Sequence, residues 1–386
     1  MNLKFLSLIF CATFGATQIL KAELALVNKP VIDLISDSAT YFKQNPLNYY
    51  DQIPLSPVNP GKNLNACPRL HQALFNEIVD IISTTKYEAQ VRILNAYFLN
   101  TTTKQKSGTF WTLKTNLTPL KSLNNQFIPK PINYQHPHHL EPNVITLTNP
   151  WQHFSAGTRF KIDPQDGFAY CYQPDGYDFI KINIPTKFTI SNTARTPAQL
   201  RQEFIKVITD WTRQHHHKAI PYAWGGCSVV QKLPTHRVKI INQDNLSYYQ
   251  IPPKKLQTHT GLDCSGLVLR ASQIVGIPYF YKNTSTLAYE LPPLQPQDFI
   301  LPGDLIWLSG HVIIIGNPQT GLCFEARDYG QGYGKVQAIH ISKLFKEISC
   351  LDQLKAAHHH SELLTRIDKN GNARGKYQIK LLKLII

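Results

Sequence analysis

Gly261-Leu262-Asp263-Cys264-Ser265-Gly266-Leu267-Val268 reads as a turn running straight into a helix. Asp263 is a good N-cap, and Leu267, Val268, Ala271, Ile274 and Val275 recur at helical spacing until Gly276 and Pro278 stop them. Cys264 then falls at the first helical residue. A thiol there meets free backbone N–H groups and the positive end of the helix dipole, which favours the nucleophilic thiolate. The plain alternative is a buried cysteine acting as a small apolar residue.

The flanking stretches decide between these. Upstream stands Pro221-Tyr222-Ala223-Trp224-Gly225-Gly226; downstream stand Pro302-Gly303-Asp304-Leu305 and His311-Val312-Ile313-Ile314-Ile315-Gly316. In this order the pieces resemble the NlpC-type family of bacterial cell-wall cysteine peptidases. The family pattern is Tyr-x-Trp-Gly-Gly, Asp-Cys-Ser-Gly-(Leu/Phe)-Val, Pro-Gly-Asp-Leu and His-Val, and each piece is present between Pro197 and Ile341. The resemblance implies an α+β fold: a papain-like C-terminal peptidase domain over 195–386, with an antiparallel sheet and an N-terminal nucleophile helix.

Leu305–Leu308, His311–Ile315 and Leu322–Ala326 read as strands, the last two joined by the loop Asn317–Gly321. If Gly316 faces Leu322, residues 311, 325 and 327 share one face, with 311 and 325 diagonal neighbours. The resemblance puts the third catalytic position at Glu325, where the family more often has His, Asn or Gln. A carboxylate there would fix the imidazole tautomer; a Glu325–Arg327 surface pair is the alternative. The implied roles are Cys264 as nucleophile, His311 as general base and acid, Glu325 as orienting group, and the Tyr222 hydroxyl with the Cys264 N–H as oxyanion donors. Gly225 and Gly226 serve backbone conformation.

The implied substrate is a peptidoglycan stem peptide, cut between γ-D-glutamate and a diamino acid. Asp263 and Ser265 match positions that read a free N-terminal L-alanine amine. A charge-assisted bond to Asp263 would then favour the free amine over its N-acetyl form by about tenfold or more. Tyr281-Lys282-Asn283-Thr284-Ser285 matches a substrate-contacting segment, with Lys282 in place of Arg, so that Lys282, Thr284 and Ser285 join the binding candidates; Lys282 could equally be a solvated surface charge. Two other readings remain open: a catalytically idle wall-binding protein, and a thiol acyltransferase or amidase acting on a lipid. Those lipid enzymes usually rearrange the order of Cys and His, whereas here Cys264 precedes His311.

Composition agrees with a wall partner. Lys and Arg total 40 against 25 Asp and Glu in 386 residues, which suits an anionic polymer, and no nucleic-acid motif is present. Cys11 falls in a leader. With Cys264 kept reduced, the rest (Cys67, Cys171, Cys227, Cys323 and Cys350) cannot all pair within the chain, so this is no disulfide scaffold. Residues 1–22 have the outline of a secretory signal peptide, and no stretch is long and apolar enough to span a bilayer, which predicts an exported, periplasmic or secreted protein, a monomer.

Between leader and peptidase, residues 23–125 read as helical or extended. Leu70, Leu74, Ile78 and Ile81 predict a helix over Arg69–Thr85, with Tyr87–Leu99 continuing as a second. Residues 126–190 read as a small barrel. Strand-like runs at Val144–Leu147, Thr158–Ile162, Phe168–Tyr172 and Phe179–Ile182 alternate with Asn-Pro, Asp-Gly and Pro-Asp-Gly turn signals. With Ala156-Gly157-Thr158-Arg159-Phe160 they resemble bacterial SH3-like barrels. Thr196-Pro197-Ala198-Gln199 marks a helix start, and Leu200, Phe204, Val207, Ile208 and Trp211 give its core stripe. Residues 227–262 are longer than the family's connection, with a strand-like Arg237–Ile241 that would shape the groove. His136–His139, His215–His217 and His358–His360 lack metal-ligand spacing, and Asp368-Lys369-Asn370-Gly371-Asn372 lacks the sixth-place glycine and the closing glutamate of a calcium loop and reads as a turn, so neither metal nor cofactor is expected.

Overall fold

The computed structural model describes residues 23–39, 45–58, 67–100, 102–136, 141–173, 178–213, 218–230, 232–234, 238–243, 246–251 and 258–384. The leader, Arg237, and His138, His139 and His215–His217 lie outside them. The fold is mixed α/β, built on antiparallel sheets with few helices.

The first sheet has seven strands: β1 (Glu23–Val27), β2 (Val31–Ile35), β3 (Arg69–Leu74), β4 (Ile78–Thr84), β5 (Glu88–Ile93), β6 (Thr109–Leu113) and β7 (Leu117–Pro119), in the order β7-β1-β4-β5-β6-β2-β3. The helices expected over Arg69–Thr85 and Tyr87–Leu99 are therefore strands. Asn76 takes a left-handed φ of 65°, and its N–H bonds Val27 O, so the chain turns between β3 and β4. Ile78-Val79-Asp80-Ile81-Ile82 is rich in β-branched residues, which pack well on a pleated surface, and the long-range pairing overrides the i, i+4 spacing.

Residues 126–190 do not form a closed barrel. β8 (Val144–Leu147), β9 (Arg159–Lys161) and β12 (Thr189–Ser191) make one three-stranded sheet, and β10 (Ala169–Gln173) with β11 (Asp178–Ile182) makes a hairpin. An Ile162–Ala169 bridge connects the two groups. The strand-like runs are strands, and their apolar residues share one cluster with Leu26, Phe75, Ile78 and Leu120 from outside the segment.

Helix α1 (Pro197–Thr212) has the expected capping box: Thr196 N donates to Gln199 Oε1 at 2.9 Å and Gln199 N to Thr196 Oγ1 at 3.3 Å. Its buried stripe of Phe204, Val207, Ile208 and Trp211 packs on α2 (Cys264–Val275). Every residue of α2 is buried, as befits a helix wedged between the first sheet and a second one. Arg270 is tied there, to Glu77 at 2.8 Å and to Cys227 O at 2.9 Å. Gly276 closes the helix at φ 84°.

After α3 (Thr284–Glu290) comes the five-stranded antiparallel sheet: β15 (Leu305–Leu308), β16 (His311–Asn317), β17 (Leu322–Arg327), β18 (Lys335–His340) and β21 (Lys380–Leu382), in the order β18-β17-β16-β15-β21. α4 (Leu351–His359) and the hairpin β19 (Leu363–Ile367)–β20 (Ala373–Gln378) follow β18 in the chain. Residues 227–262 carry a further hairpin, β13 (Lys239–Gln243) and β14 (Leu246–Gln250), paired to Ser56–Pro57 near the chain start.

Candidate active site

The turn before Cys264 is fixed by backbone. Gly225 has φ 68°, and a Cβ on Gly226 would sit 2.4 Å from Gly261 O, so neither position accepts a side chain without strain. Arg69 Nη1 and Leu55 O hold Trp224 by its carbonyl and N–H, leaving Trp224 in a packing role. The Tyr329 hydroxyl donates to Tyr222 O at 3.0 Å, and Tyr249 of β14 stacks on Tyr329 at 4.7 Å. The long connection thus seats its hairpin on the Tyr222 turn.

Asp263 is the N-cap of α2: its Oδ1 accepts from Gly266 N at 2.5 Å. Lys282 bonds both carboxylate oxygens at 2.6 Å and is 1% exposed. Ser265 Oγ donates to Asp263 at 3.0 Å and accepts from Asn283 N at 3.3 Å. Lys282 is therefore not a surface charge, nor is its ammonium free for a substrate carboxylate. Thr284 opens α3 and its carbonyl accepts from Trp307 Nε1 at 2.8 Å, while the Ser285 side of that turn is exposed.

Cys264 is 8% exposed, and the N–H of Val312, next to His311, bonds its sulfur. Burial and then the Asp263 charge push the thiol up to about 12; the Val312 and Ser265 N–H groups and Lys282 only partly offset this. That differs from the thiolate expected at a helix start, because desolvation outweighs the dipole. The Tyr222 phenol is likewise held well above its usual range, by burial first and then by the Cys264 and Asp263 charges, which keeps its hydroxyl a donor.

Across β16–β17 Leu322 faces Asn317 rather than the expected Gly316, but beyond that bulge the register is the one expected. Ile314 faces Phe324 and Ile315 faces Cys323, with a bulge before Asn317, so Glu325 lies diagonal to His311. His311 Nε2 and Glu325 Oε2 are 3.0 Å apart. Glu325 is fully buried, with Arg366 Nη2 at 2.5 Å, Gln337 Nε2 at 2.9 Å and Arg327 Nη1 at 3.6 Å, and is no surface pair. Burial pushes its carboxyl up, but Arg366, His311 and Arg327 together hold it well below the usual range. An ionised carboxylate only accepts, so Nε2 of His311 carries the hydrogen and Nδ1 the lone pair. Burial, with Arg366 and Arg327 behind it, lowers the His311 pKa although Glu325 pulls the other way.

Both shifts favour a neutral thiol and a neutral imidazole in the free site. Iodoacetamide is expected to modify Cys264 slowly at neutral pH and faster as pH rises toward the thiol's value of about 12. An alkylation rate already at its plateau below neutral pH would reveal a preformed ion pair instead. Acid should also loosen the site. The stabilisation from Glu325 is full above its ordinary 4.5 and is lost as pH falls through its lower folded value. Folding also disfavours charging His311, so stability drops further below its ordinary 6.5.

Arg366 and Gln337 were not singled out from sequence. Arg366 lies 41 residues beyond Glu325, and only the turn signal at Asp368 pointed to its hairpin. Asp368 caps that turn, accepting from Asn370 N and Asn372 N at 2.9 Å each. His358 is bonded at Leu294 O, and no group of metal-ligating side chains occurs among the described residues.

No protein-family profile matches the chain, and no curated protein matches it. Among solved structures it is similar to an NlpC/P60 family protein from Bacillus cereus ATCC 10987, with a TM-score of 0.51 at 15% identity, over 82% of this chain and 94% of that one. The likeness is one of fold. NlpC2 from Trichomonas vaginalis also aligns, at TM-score 0.31 and 13% identity over 83% of this chain and 93% of that one. The peptidoglycan hydrolase RipB from Mycobacterium tuberculosis aligns at TM-score 0.28 and 20% identity, over 54% and 75% respectively. No helix among the described residues is long and apolar enough to cross a membrane.

Proposed function

We propose that the chain is a cysteine peptidase that hydrolyses peptidoglycan stem peptides at the γ-D-glutamyl–diamino acid bond. The observation that carries this is the juxtaposition of Cys264, at the start of a buried helix, with the strand of His311, whose Nε2 is held by Glu325 at 3.0 Å. His311 Nδ1 takes the thiol proton as sulfur attacks the amide carbonyl, then returns it to the leaving amine. Water, deprotonated by the same nitrogen, hydrolyses the thioester. The Cys264 N–H, orphaned at the first helical position, and the Tyr222 hydroxyl receive the developing oxyanion. We assign this chemistry to a papain-like unit over 195–386 of an exported monomer whose leader is 1–22. The fold shared with the Bacillus cereus NlpC/P60 protein supports it.

Asp263 and Ser265 remain the candidates for the substrate's amino end, with Thr284 and Ser285 along the groove. Lys282 already neutralises Asp263, so a substrate ammonium gains less there than it would from an unpaired carboxylate. The expected preference for a free L-alanine amine over its N-acetyl form is accordingly below tenfold, or about 1.4 kcal/mol. Initial rates on the two forms of one stem peptide check this. A hundredfold preference would mean that Asp263 is read as a full charge despite Lys282. Lack of hydrolysis of either form would sink the peptidase reading.

A further inference from the structure

The carboxylate that holds His311 is itself held from an element outside the motif set. Oε2 of Glu325 is shared between His311 Nε2 at 3.0 Å and Arg366 Nη2 at 2.5 Å. Oε1 takes Gln337 Nε2 at 2.9 Å. Arg366 is in turn immobilised: its side chain is 3% exposed, its Nη1 donates to Leu344 O at 3.3 Å, and its guanidinium lies 5.4 Å from the Phe345 ring centre. The Asp368 turn closes the hairpin that presents it, and Arg374 pairs with Asp368 at 2.8 Å. This is a built contact of a buried anion with a buried cation, on the same oxygen that orients the imidazole.

We propose that Arg366 is a positioning residue of the site: it pins Glu325 and cancels the carboxylate's charge beside His311, so that the pair presents a neutral hydrogen-bond acceptor to the imidazole. The inference rests on the peptidase reading only for its consequence in catalysis; the electrostatic coupling stands without it. A lone buried carboxylate beside an imidazole would favour the imidazolium and remove the proton acceptor Cys264 needs. A neutral acceptor orients the ring without that effect. The glutamate at this position is tolerable because Arg366 accompanies it.

The groups that face His311 and Glu325 from each packed element are few. Cys264 comes from α2; Glu325, Arg327 and Cys323 from β17; Gln337 from β18; Arg366 from β19; and the Tyr333 hydroxyl from the loop before β18. Arg327 is the other cation, but its Nη1 stays 3.6 Å from Glu325 and its guanidinium stacks on Tyr333 at 4.5 Å. Its Nε bonds Gln331 at 2.8 Å and its Nη2 bonds Ile367 O at 2.5 Å, so it cannot replace Arg366 on Oε2 without breaking those bonds.

The test is an NMR titration of His311 in the histidine-labelled full chain, the signal assigned by its loss in His311→Asn. In Arg366→Met the His311 midpoint should rise by about one unit, a tenfold gain in proton affinity. In Arg366→Met/Glu325→Gln it should return to within about half a unit of wild type, because one positive and one negative charge are removed together and Arg327 is left as in wild type. An unmoved midpoint in folded Arg366→Met would overturn the proposal, since a purely structural arginine would leave the titration alone. Should Arg366→Met not fold, the double variant decides: the proposal requires it to fold and titrate like wild type, and collapse or a one-unit offset counts against it. On stem peptides the acid limb of kcat/KM should move up with the midpoint while KM holds. Wild type without thiol-dependent turnover would remove the peptidase reading, and the titration would still judge Arg366.

Discussion

Cys264→Ala is expected to lose stem-peptide hydrolysis by on the order of 10⁵-fold or more while keeping its fold. Cys264→Ser should be nearly as inactive. The serine hydroxyl is a far weaker nucleophile, and His311, buried and kept neutral, was matched to a thiol. Truncating one buried sulfur costs about 1–2 kcal/mol, too little to unfold the chain. Near-wild-type circular dichroism with lost turnover is the predicted pair of results. Retained turnover in a folded Cys264→Ala would move the chemistry elsewhere.

Glu325 carries the second large effect, and two substitutions separate its roles. Glu325→Leu removes the acceptor for His311 and strands the buried Arg366 without a counterion. Losing the orienting bond should lower kcat by about 10³–10⁴-fold, and the uncompensated charge should cost about 3–5 kcal/mol of stability. Glu325→Gln keeps an acceptor. Arg366 Nη2 demands an oxygen at the Oε2 position, so the amide carbonyl is steered toward His311, and its NH₂ meets Gln337, whose own amide must turn over to offer its carbonyl oxygen. Loss of no more than about tenfold in kcat is therefore expected. Equal activity of wild type and Glu325→Leu would show that another group orients the ring; equal inactivity of both variants would show that the negative charge itself is required.

The parts of the site legible in sequence were those set by short-range rules. Asp263 as a cap, the Thr196 capping box and the Gly276 stop each depend on a few adjacent residues, and the structure has them. The His311–Glu325 diagonal followed from strand parity and one loop length, and the ladder keeps that parity up to the bulge at Gly316. What escaped was long-range. Leu70, Leu74, Ile78 and Ile81 fit a helix locally, but β3 is an edge strand and β4 an inner strand of the same sheet, with three strands between them, and neither pairs with the other. Lys282 reads as a binding or a surface charge and Arg366 carries no signal at all, because nothing near them in sequence names Asp263 or Glu325 as partner. The thiol's pKa depends on how deeply α2 is buried, which a capping pattern does not encode.

The central claim, that Cys264 and His311 cut the γ-D-glutamyl–diamino acid bond, is tested most directly by product mass. The full chain without its leader is incubated with L-alanyl-γ-D-glutamyl-diaminopimelate, alongside Cys264→Ala. Free diaminopimelate and the L-alanyl-D-glutamate dipeptide are expected from the first and intact peptide from the second. Cleavage at another bond, or equal product from Cys264→Ala, would contradict it.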